Sequence, residues 1–539
     1  MIVKKKMPRV AYFCMEYGLH EEFKIYAGGL GILAGDHMKS AKDGEYPLVG
    51  IGLLWRAGYT SQRIGPDGKP YDCYPWYEYD FLKETGITVT VRIRGRKIKC
   101  KVWLVDKYGN APLYLLDTNV PGNPDPLITG QLYGWFGEER VAQEMVLGIG
   151  GIRALRELGI EVDTYHFNEG HAALAGMELI REKMDEEDMT FEEAWAKTRE
   201  EIVFTTHTPI PEGNEAHDHE LLKYLGAYNG LTHGQMLRIG GEPFNMTVAG
   251  LRLSRIANGV AQLHKETAKN MWKDVDNASE ILGITNGVHP GTWQDERIMQ
   301  AYRKGEDLWE AHTAVKKELI EEVHHRTGVK LDADAMLIGF ARRAAAYKRS
   351  DLIFAKPDVI GSYFETGKLQ IIFSGKAHPN DPVGKKIVSN LIAASKQYPN
   401  SVVFLEDYDM KIGRLLTRGC DIWLNNPIRP LEASGTSGMK AAMNGVLNCS
   451  ILDGWWPEGC AHGVNGWKIG EEQPREDQDE FDVDSLYKVL LEEILPLYEN
   501  GRSSWVKMMK ESIKMSHWQF SSDRMLEEYF DLMYAKEEE

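Results

Sequence analysis

The chain is poor in cysteine pairs, in long apolar runs and in positive charge. Its six cysteines (Cys14, Cys73, Cys100, Cys420, Cys449, Cys460) are scattered over 539 residues with no C-x-x-C spacing. That argues against a disulfide framework and a zinc ribbon. No stretch approaches the uninterrupted apolar length of a membrane span. The opening MIVKKKMPRV lacks the apolar core and cleavage site of a signal peptide, so the reading is a cytoplasmic protein with no membrane partner. Lys and Arg number 63 against 80 Asp and Glu, a net charge of −17, which argues against nucleic acid as a partner. An anionic substrate would therefore need local cations. There is no internal repeat, and the one low-complexity tract is the terminal KEEE.

What is present is ordinary globular composition, 43% apolar and 27% charged, in a chain too long for one core. Short β-branched runs (RVAYFCMEY, EIVFTTHT, MLIGFARRA, LQIIFSGKA, SVVFLEDYD, CDIWLNNP) alternate with amphipathic ones (EERVAQEMVLGIGGIRALRELG, DPVGKKIVSNLIAASKQY, DVDSLYKVLLEEILPLYEN). This alternation predicts an α/β fold with parallel sheets. A charged helical stretch from Ala301 to Thr327 precedes the strand MLIGFARRA, so a domain boundary is expected near Trp293. The expectation is two Rossmann-like halves, 1–293 and 294–515, facing a cleft, with ligands at the carboxyl ends of the strands.

Three segments carry chemistry. YAGGLGILAGD contains G-x-G-x-x-A from Gly29 to Ala34. A polar loop separates it from the preceding strand near Tyr17, which disfavours a dinucleotide site, although glycines opening a helix still offer amides to an anion. ARRAAAYKRSD places Arg342, Arg343, Lys348 and Arg349 where a strand hands over to a helix, a pattern suited to phosphate oxygens. EASGTSGMKAAMNG leads through Thr436, Ser437 and Gly438 into a helix containing Lys440. A cation in a helix's first turn is mildly disfavoured. An anion on the preceding amides removes the objection, and a phosphorylated aldehyde bonded to Lys440, such as pyridoxal phosphate, meets the description. His217 and His219 in EAHDHE read as a solvated loop rather than a metal site, and no metal is assigned.

EASGTSGMKAAMNG resembles the cofactor-lysine motif of the glycogen and α-glucan (starch, maltodextrin) phosphorylases. ARRAAAYKR, AGGLG, FTTHTPIPE, TNGVHPGTW, NGVAQLH, FNEGHAAL, FSGKAHP and FLEDYD resemble further motifs of that family in the same order, from about Tyr12 to Asp453. The resemblance implies the two-domain fold of GT-B glycosyltransferases, with a C-terminal helix (516–539) crossing back to the first domain. It implies reversible phosphorolysis of α-1,4-glucan ends to α-glucose 1-phosphate, with glucan and inorganic phosphate as partners; a homo-oligomer is compatible with it. It also implies residue roles. Lys440 bonds pyridoxal 5'-phosphate, Arg342, Thr436 and Ser437 hold the cofactor phosphate near Gly29, and Tyr408 and Trp293 pack near the ring. Arg343, Lys348 and the Gly29 backbone hold substrate phosphate. His207, Asn286, Tyr347, Glu432, Ser434 and Gly435 contact the glucosyl unit, with Glu169 and His171 near it.

The chain departs from the family pattern at Arg342, where lysine is usual, at the alanines Ala344 to Ala346, and at Thr206 in place of asparagine. It is shorter than the animal enzymes, and their N-terminal regulatory segment has no visible counterpart. The alternative reading is a nucleotide-sugar-dependent glucan synthase, which shares the fold and the GGLG loop but has no use for a cofactor lysine.

Overall fold

A computed structural model describes residues 6–536; the first five residues of MIVKKKMPRV and the glutamates of KEEE lie outside them. Contacts divide the chain into two compact units. The first comprises the chain through Tyr59, Tyr74–Thr285 and the chain from Ser522; the second comprises Thr60–Cys73 and Asn286–Ser521.

In the first unit a nine-stranded sheet runs in the order Glu280–Gly283, Ile256–Gly259, Ile202–Thr205, Thr164–Asn168, Val10–Phe13, Leu48–Leu53, Leu113–Asp117, Arg96–Val105, Lys83–Ile93. Seven strands are parallel, and the last two add an antiparallel hairpin. In the second unit six parallel strands run Val402–Leu405, Leu369–Ser374, Met336–Ala341, Ile422–Asn425, Leu447–Ile451, Gly466–Ile469. Numbered along each chain segment, the parallel strands of both sheets begin in the doubly wound order 3-2-1-4-5-6. The order reverses beside Val10–Phe13 in one sheet and beside Met336–Ala341 in the other. Ligands of such sheets bind at the carboxyl ends of the strands flanking that reversal.

Several parallel strands are buried at every position, as expected of strands in sheets covered on both faces; Met336–Ala341, Leu369–Ser374 and Ile422–Asn425 are examples. All six strand-like runs read from the sequence form strands. The stretch Ala301 to Thr327, read as one helical run, is two helices, Glu296–Lys304 and Leu308–Thr327. Gly305 turns left-handed (φ 68°), and the Asp307 side chain accepts from the Glu310 amide to start the second helix.

The units part at Thr285 and Asn286, ahead of Trp293. Trp293 stays with the second unit because Asn444 Nδ2 and Arg418 Nε donate to its carbonyl at 3.0 and 2.9 Å. Residues 60–73 join the second unit through reciprocal Gln62–Ala377 hydrogen bonds (3.0 and 2.9 Å) and a Lys385–Asp72 ion pair at 2.7 Å. The terminal helix begins at Ser522 and packs on Gly29–Asp43 within the first unit.

Candidate active site

In the second unit the strand Met336–Ala341 ends directly in Arg342, at the reversal of strand order. Gly375 permits this exit: a side chain there would meet the Arg342 carbonyl oxygen at 1.8 Å. Arg342 is 7% exposed, and its guanidinium spans two partners. Nη1 donates to Glu432 Oε2 at 2.7 Å and Nη2 to Ser437 Oγ at 3.2 Å. Lys348 Nζ reaches the same Glu432 oxygen at 3.1 Å. Burial pushes the Glu432 carboxyl up, but Lys348 and Arg342 more than offset it and hold the group below the usual carboxylate range. Tyr347 stands beside Lys348, its ring centre 5.0 Å from Nζ, and Arg343 is exposed.

Arg349 departs from the expectation of a four-cation phosphate cluster. Its guanidinium binds the Asn426 and Pro427 carbonyls and the carboxylates of Asp479 and Asp482, each at 2.8 or 2.9 Å. It ties the strand exit to the helix Gln478–Lys488.

The lysine helix, Ser437–Met443, is only seven residues long. Lys440, its fourth residue, belongs to the last turn as much as to the first, so the macrodipole objection to a cation there largely disappears. The Gly438 amide donates to the Gly435 carbonyl at 3.3 Å, which leaves the expected anion seat to the Thr436 and Ser437 amides. Gly435 holds φ at 78°, and a side chain there would crowd Glu432 Cγ at 3.3 Å. Lys440 is 4% exposed, with Nζ 3.7 Å from the centre of the Trp293 ring. Asn444 fixes that wall by donating to both the Trp293 and Lys440 carbonyls. Tyr408 and Trp293 share a neighbour: a side chain at Gly413 would meet the Tyr408 hydroxyl at 2.7 Å and Trp293 Cζ3 at 3.7 Å. Burial raises the Tyr408 hydroxyl to about 12. Ser434 is buried, and Asn286 is buried at the start of the unit.

Sequence reasoning missed Asp453, at the carboxyl end of Leu447–Ile451. Its two oxygens accept from the Glu432 and Gly454 amides at 2.9 and 2.8 Å, and burial pushes it up to about 7. Its signal was an acid followed by glycine just past the strand Leu447–Ile451.

The first unit gathers its own set at the corresponding strand ends. Glu169 accepts from the Gly170 and His207 amides at 3.0 and 2.9 Å. His207 Nε2 lies 2.6 Å from Asn168 Oδ1. Burial pushes that imidazole down to about 3, so it is neutral and its Nε2–H donates to the amide oxygen. Gly28 and Gly29 open the helix Gly29–Asp43, and added side chains there would meet nothing within 4 Å, so an anion can approach this backbone. Glu16, also missed from sequence, accepts from the Ala27 and Gly28 amides and from the Tyr133 hydroxyl.

His217 and His219 are buried, which corrects the solvated-loop reading. They also diverge. His219 binds the Tyr228 hydroxyl and the Gly241 carbonyl at 2.7 Å each. His217 Nε2 lies 3.2 Å from Glu144, beside Glu215, which pairs with Arg140 and approaches His171 Nε2 at 3.5 Å. The ligand atoms of Glu144, Glu215 and His217 lie within 4.8 Å of one another, and Arg140 supplies a cation to that cluster.

The family model for carbohydrate phosphorylases matches residues 153–227 and 295–456. The chain is 40% identical to a maltodextrin phosphorylase of Thermococcus litoralis, over 98% of this chain and 70% of that protein. It is 35% identical to a glycogen phosphorylase of Aquifex aeolicus, over 98% of this chain and 86% of that protein. It is 36% identical to an uncharacterized protein of Methanocaldococcus jannaschii along that protein's whole length.

Proposed function

This chain belongs to the carbohydrate phosphorylase family, and we propose that it catalyses reversible phosphorolysis of terminal α-1,4-glucosyl units to α-glucose 1-phosphate, with pyridoxal phosphate held at Lys440. The observation that carries the reading is the buried constellation of Lys440 against Trp293, with Arg342 bridging Ser437 and Glu432. The two-domain GT-B arrangement belongs to the same proposal, as do the cytoplasmic setting and the glucan and phosphate partners.

The residues present suit the cofactor. Lys440 supplies a nitrogen, and Trp293 and Tyr408 supply flat walls. Arg342 Nε and Ser434 Oγ are buried without a hydrogen-bond partner, a state that is costly unless a ligand completes it. When bound, pyridoxal phosphate supplies a second phosphate beside the substrate phosphate. Arg342, Ser437 and the Thr436 and Ser437 amides would hold the cofactor phosphate. Arg343, Lys348 and the Gly29 backbone would hold the inorganic one.

Phosphorolysis breaks the bond from C1 to the glucan O4, forms one from C1 to a phosphate oxygen, and delivers a proton to O4. Of the residues assigned to the glucosyl unit, Glu432 is an ion-paired carboxylate and His207 is neutral, which makes both poor donors of that proton. Burial raises the Glu169 carboxyl, while the Gly170 and His207 amides donate to its charged form. We assign the proton to phosphate itself. A second anion beside the substrate phosphate would raise its proton affinity, since unit charges repel by roughly 4 kcal/mol at ~4 Å and an effective dielectric near 20, and Arg342, Arg343 and Lys348 would offset that repulsion. Glu432, Asn286, Tyr347, Ser434, Gly435, Glu169, His171 and His207 are assigned to the glucosyl unit on the family resemblance.

The test is to incubate purified protein with maltodextrin and phosphate, follow glucose 1-phosphate, and record the near-ultraviolet band of bound cofactor. Glucose 1-phosphate should extend a glucan primer, whereas ADP-glucose and UDP-glucose should not. Extension from a nucleotide sugar by protein lacking the cofactor would transfer the assignment to the synthase class. Arg343→Ala should raise the phosphate KM with little change in glucan KM. Losing a charge-assisted contact costs about 1.5–3 kcal/mol, or roughly 10- to 150-fold. Unchanged phosphate kinetics would remove Arg343 from the site.

A further inference from the structure

Behind the strand ends of the first unit lies a buried hydrogen-bonded chain that the reaction scheme does not use. Tyr534, near the C-terminus, places its hydroxyl 3.1 Å from His37 Nε2 and 2.6 Å from His166 Nδ1. His166 Nε2 lies 2.6 Å from Thr205 Oγ1, and Thr205 lies 2.6 Å from Asn258 Oδ1. All of these side chains are buried.

The direction of the chain is determined. Asn258 Nδ2 donates to the Gly259 carbonyl and the Tyr529 hydroxyl, both at 2.9 Å, so Asn258 Oδ1 is an acceptor and Thr205 donates to it. With its one hydrogen used, Thr205 accepts from His166 Nε2–H. His166 is driven neutral by burial, so its Nδ1 carries a lone pair and Tyr534 donates to it. The Tyr534 hydrogen is then committed, and His37 Nε2–H donates to the phenol oxygen. Both imidazoles are fixed as Nε2–H tautomers.

Each member sits under a candidate site element. His37 is on the helix opened by Gly29, His166 is on the strand ending in Asn168 and followed by Glu169, and Thr205 ends the strand leading to His207. We infer that Tyr534 is a positioning residue. Its hydroxyl sets the Gly28–Gly29 loop in register with the strand ends carrying Glu169 and His207, so that the C-terminal segment tunes phosphate binding. Ser522 supports the same dock, its Oγ 2.5 Å from Ser40 Oγ on that helix. The sheet strands are pinned by their ladders, so the helix is the member that shifts when the link is cut. This inference rests on the phosphate role proposed above for the Gly29 backbone.

The experiment compares holoenzyme of the full chain with Tyr534→Phe and Tyr529→Phe, which delete one hydroxyl each from the same buried segment. Calorimetry with inorganic phosphate should show at least fivefold weaker binding for Tyr534→Phe and less than a twofold change for Tyr529→Phe, with glucan KM moved less than twofold in both. Histidine-labelled protein should show both imidazoles as Nε2–H tautomers by 15N shifts, and the His166 Nδ1 resonance should move downfield in Tyr534→Phe. Equal phosphate binding by wild type and Tyr534→Phe, or a proton on His166 Nδ1, would overturn the inference. A wild type that binds no phosphate would instead overturn the proposed function.

Discussion

Lys440→Ala should lose the near-ultraviolet band and nearly all phosphorolysis, while protein in which borohydride has fixed the lysine–cofactor bond should retain an appreciable fraction of activity. The two results together separate a tether from an electron sink. If ring electronics drove the reaction, the bond to Lys440 would have to exchange during turnover, and fixing it would abolish activity. In the phosphate-as-acid reading the position of the cofactor phosphate matters, and that is set by Arg342, Ser437 and the Thr436 and Ser437 amides. Reduction changes the linkage at the Lys440 nitrogen and leaves those contacts in place. Alanine removes the tether, and the remaining seat would hold the cofactor weakly. The checks are the absorbance before and after reduction and glucose 1-phosphate formation. Complete inactivation of reduced, folded protein would eliminate the mechanism, even though the family assignment would stand.

Much of this constellation is legible in the chain because the chemistry is local in sequence. Thr436, Ser437 and Lys440 lie within five positions, and Arg342 follows an apolar run whose burial was evident. Alternation of such runs with amphipathic stretches predicted parallel sheets, and both sheets have them. Pairings across long separations were not legible. Nothing in ARRAAAYKRSD distinguishes Arg349, which turns to Asp479 and Asp482, from Lys348, which turns to Glu432. Residues 60–73 give no local sign that Gln62 pairs with Ala377. His217 and His219 look like loop residues because their partners, Glu144 and the Gly241 carbonyl, lie far from them in sequence or on the backbone. Asp453 was missed because its partners are backbone amides, which carry no residue signature.

The Arg342–Glu432 pair yields the largest expected effect on stability. Both side chains are less than a tenth exposed. Removing one partner of a buried pair leaves an under-compensated charge, at a cost of about 3–5 kcal/mol. Lys348 remains beside Glu432 in Arg342→Met, so a loss near the lower end, about 3 kcal/mol, is expected. The double variant Arg342→Met with Glu432→Gln should recover at least about 1 kcal/mol of it, because the stranded charge is gone; a coupling of that size is typical of contacting residues. The pH dependence gives a second reading. Glu432 is held below the ordinary carboxylate range, so its pairing stabilises the fold fully above about pH 4–5. That contribution is lost as the pH falls through the folded value. Wild type and Arg342→Met should therefore differ most near neutral pH and converge in acid. Denaturant titrations of the cofactor-free proteins at several pH values measure both effects, which excludes differential cofactor binding as their source. A single variant as stable as wild type at pH 7, or a double variant no better than the single, would show that Arg342 is not what keeps Glu432 charged.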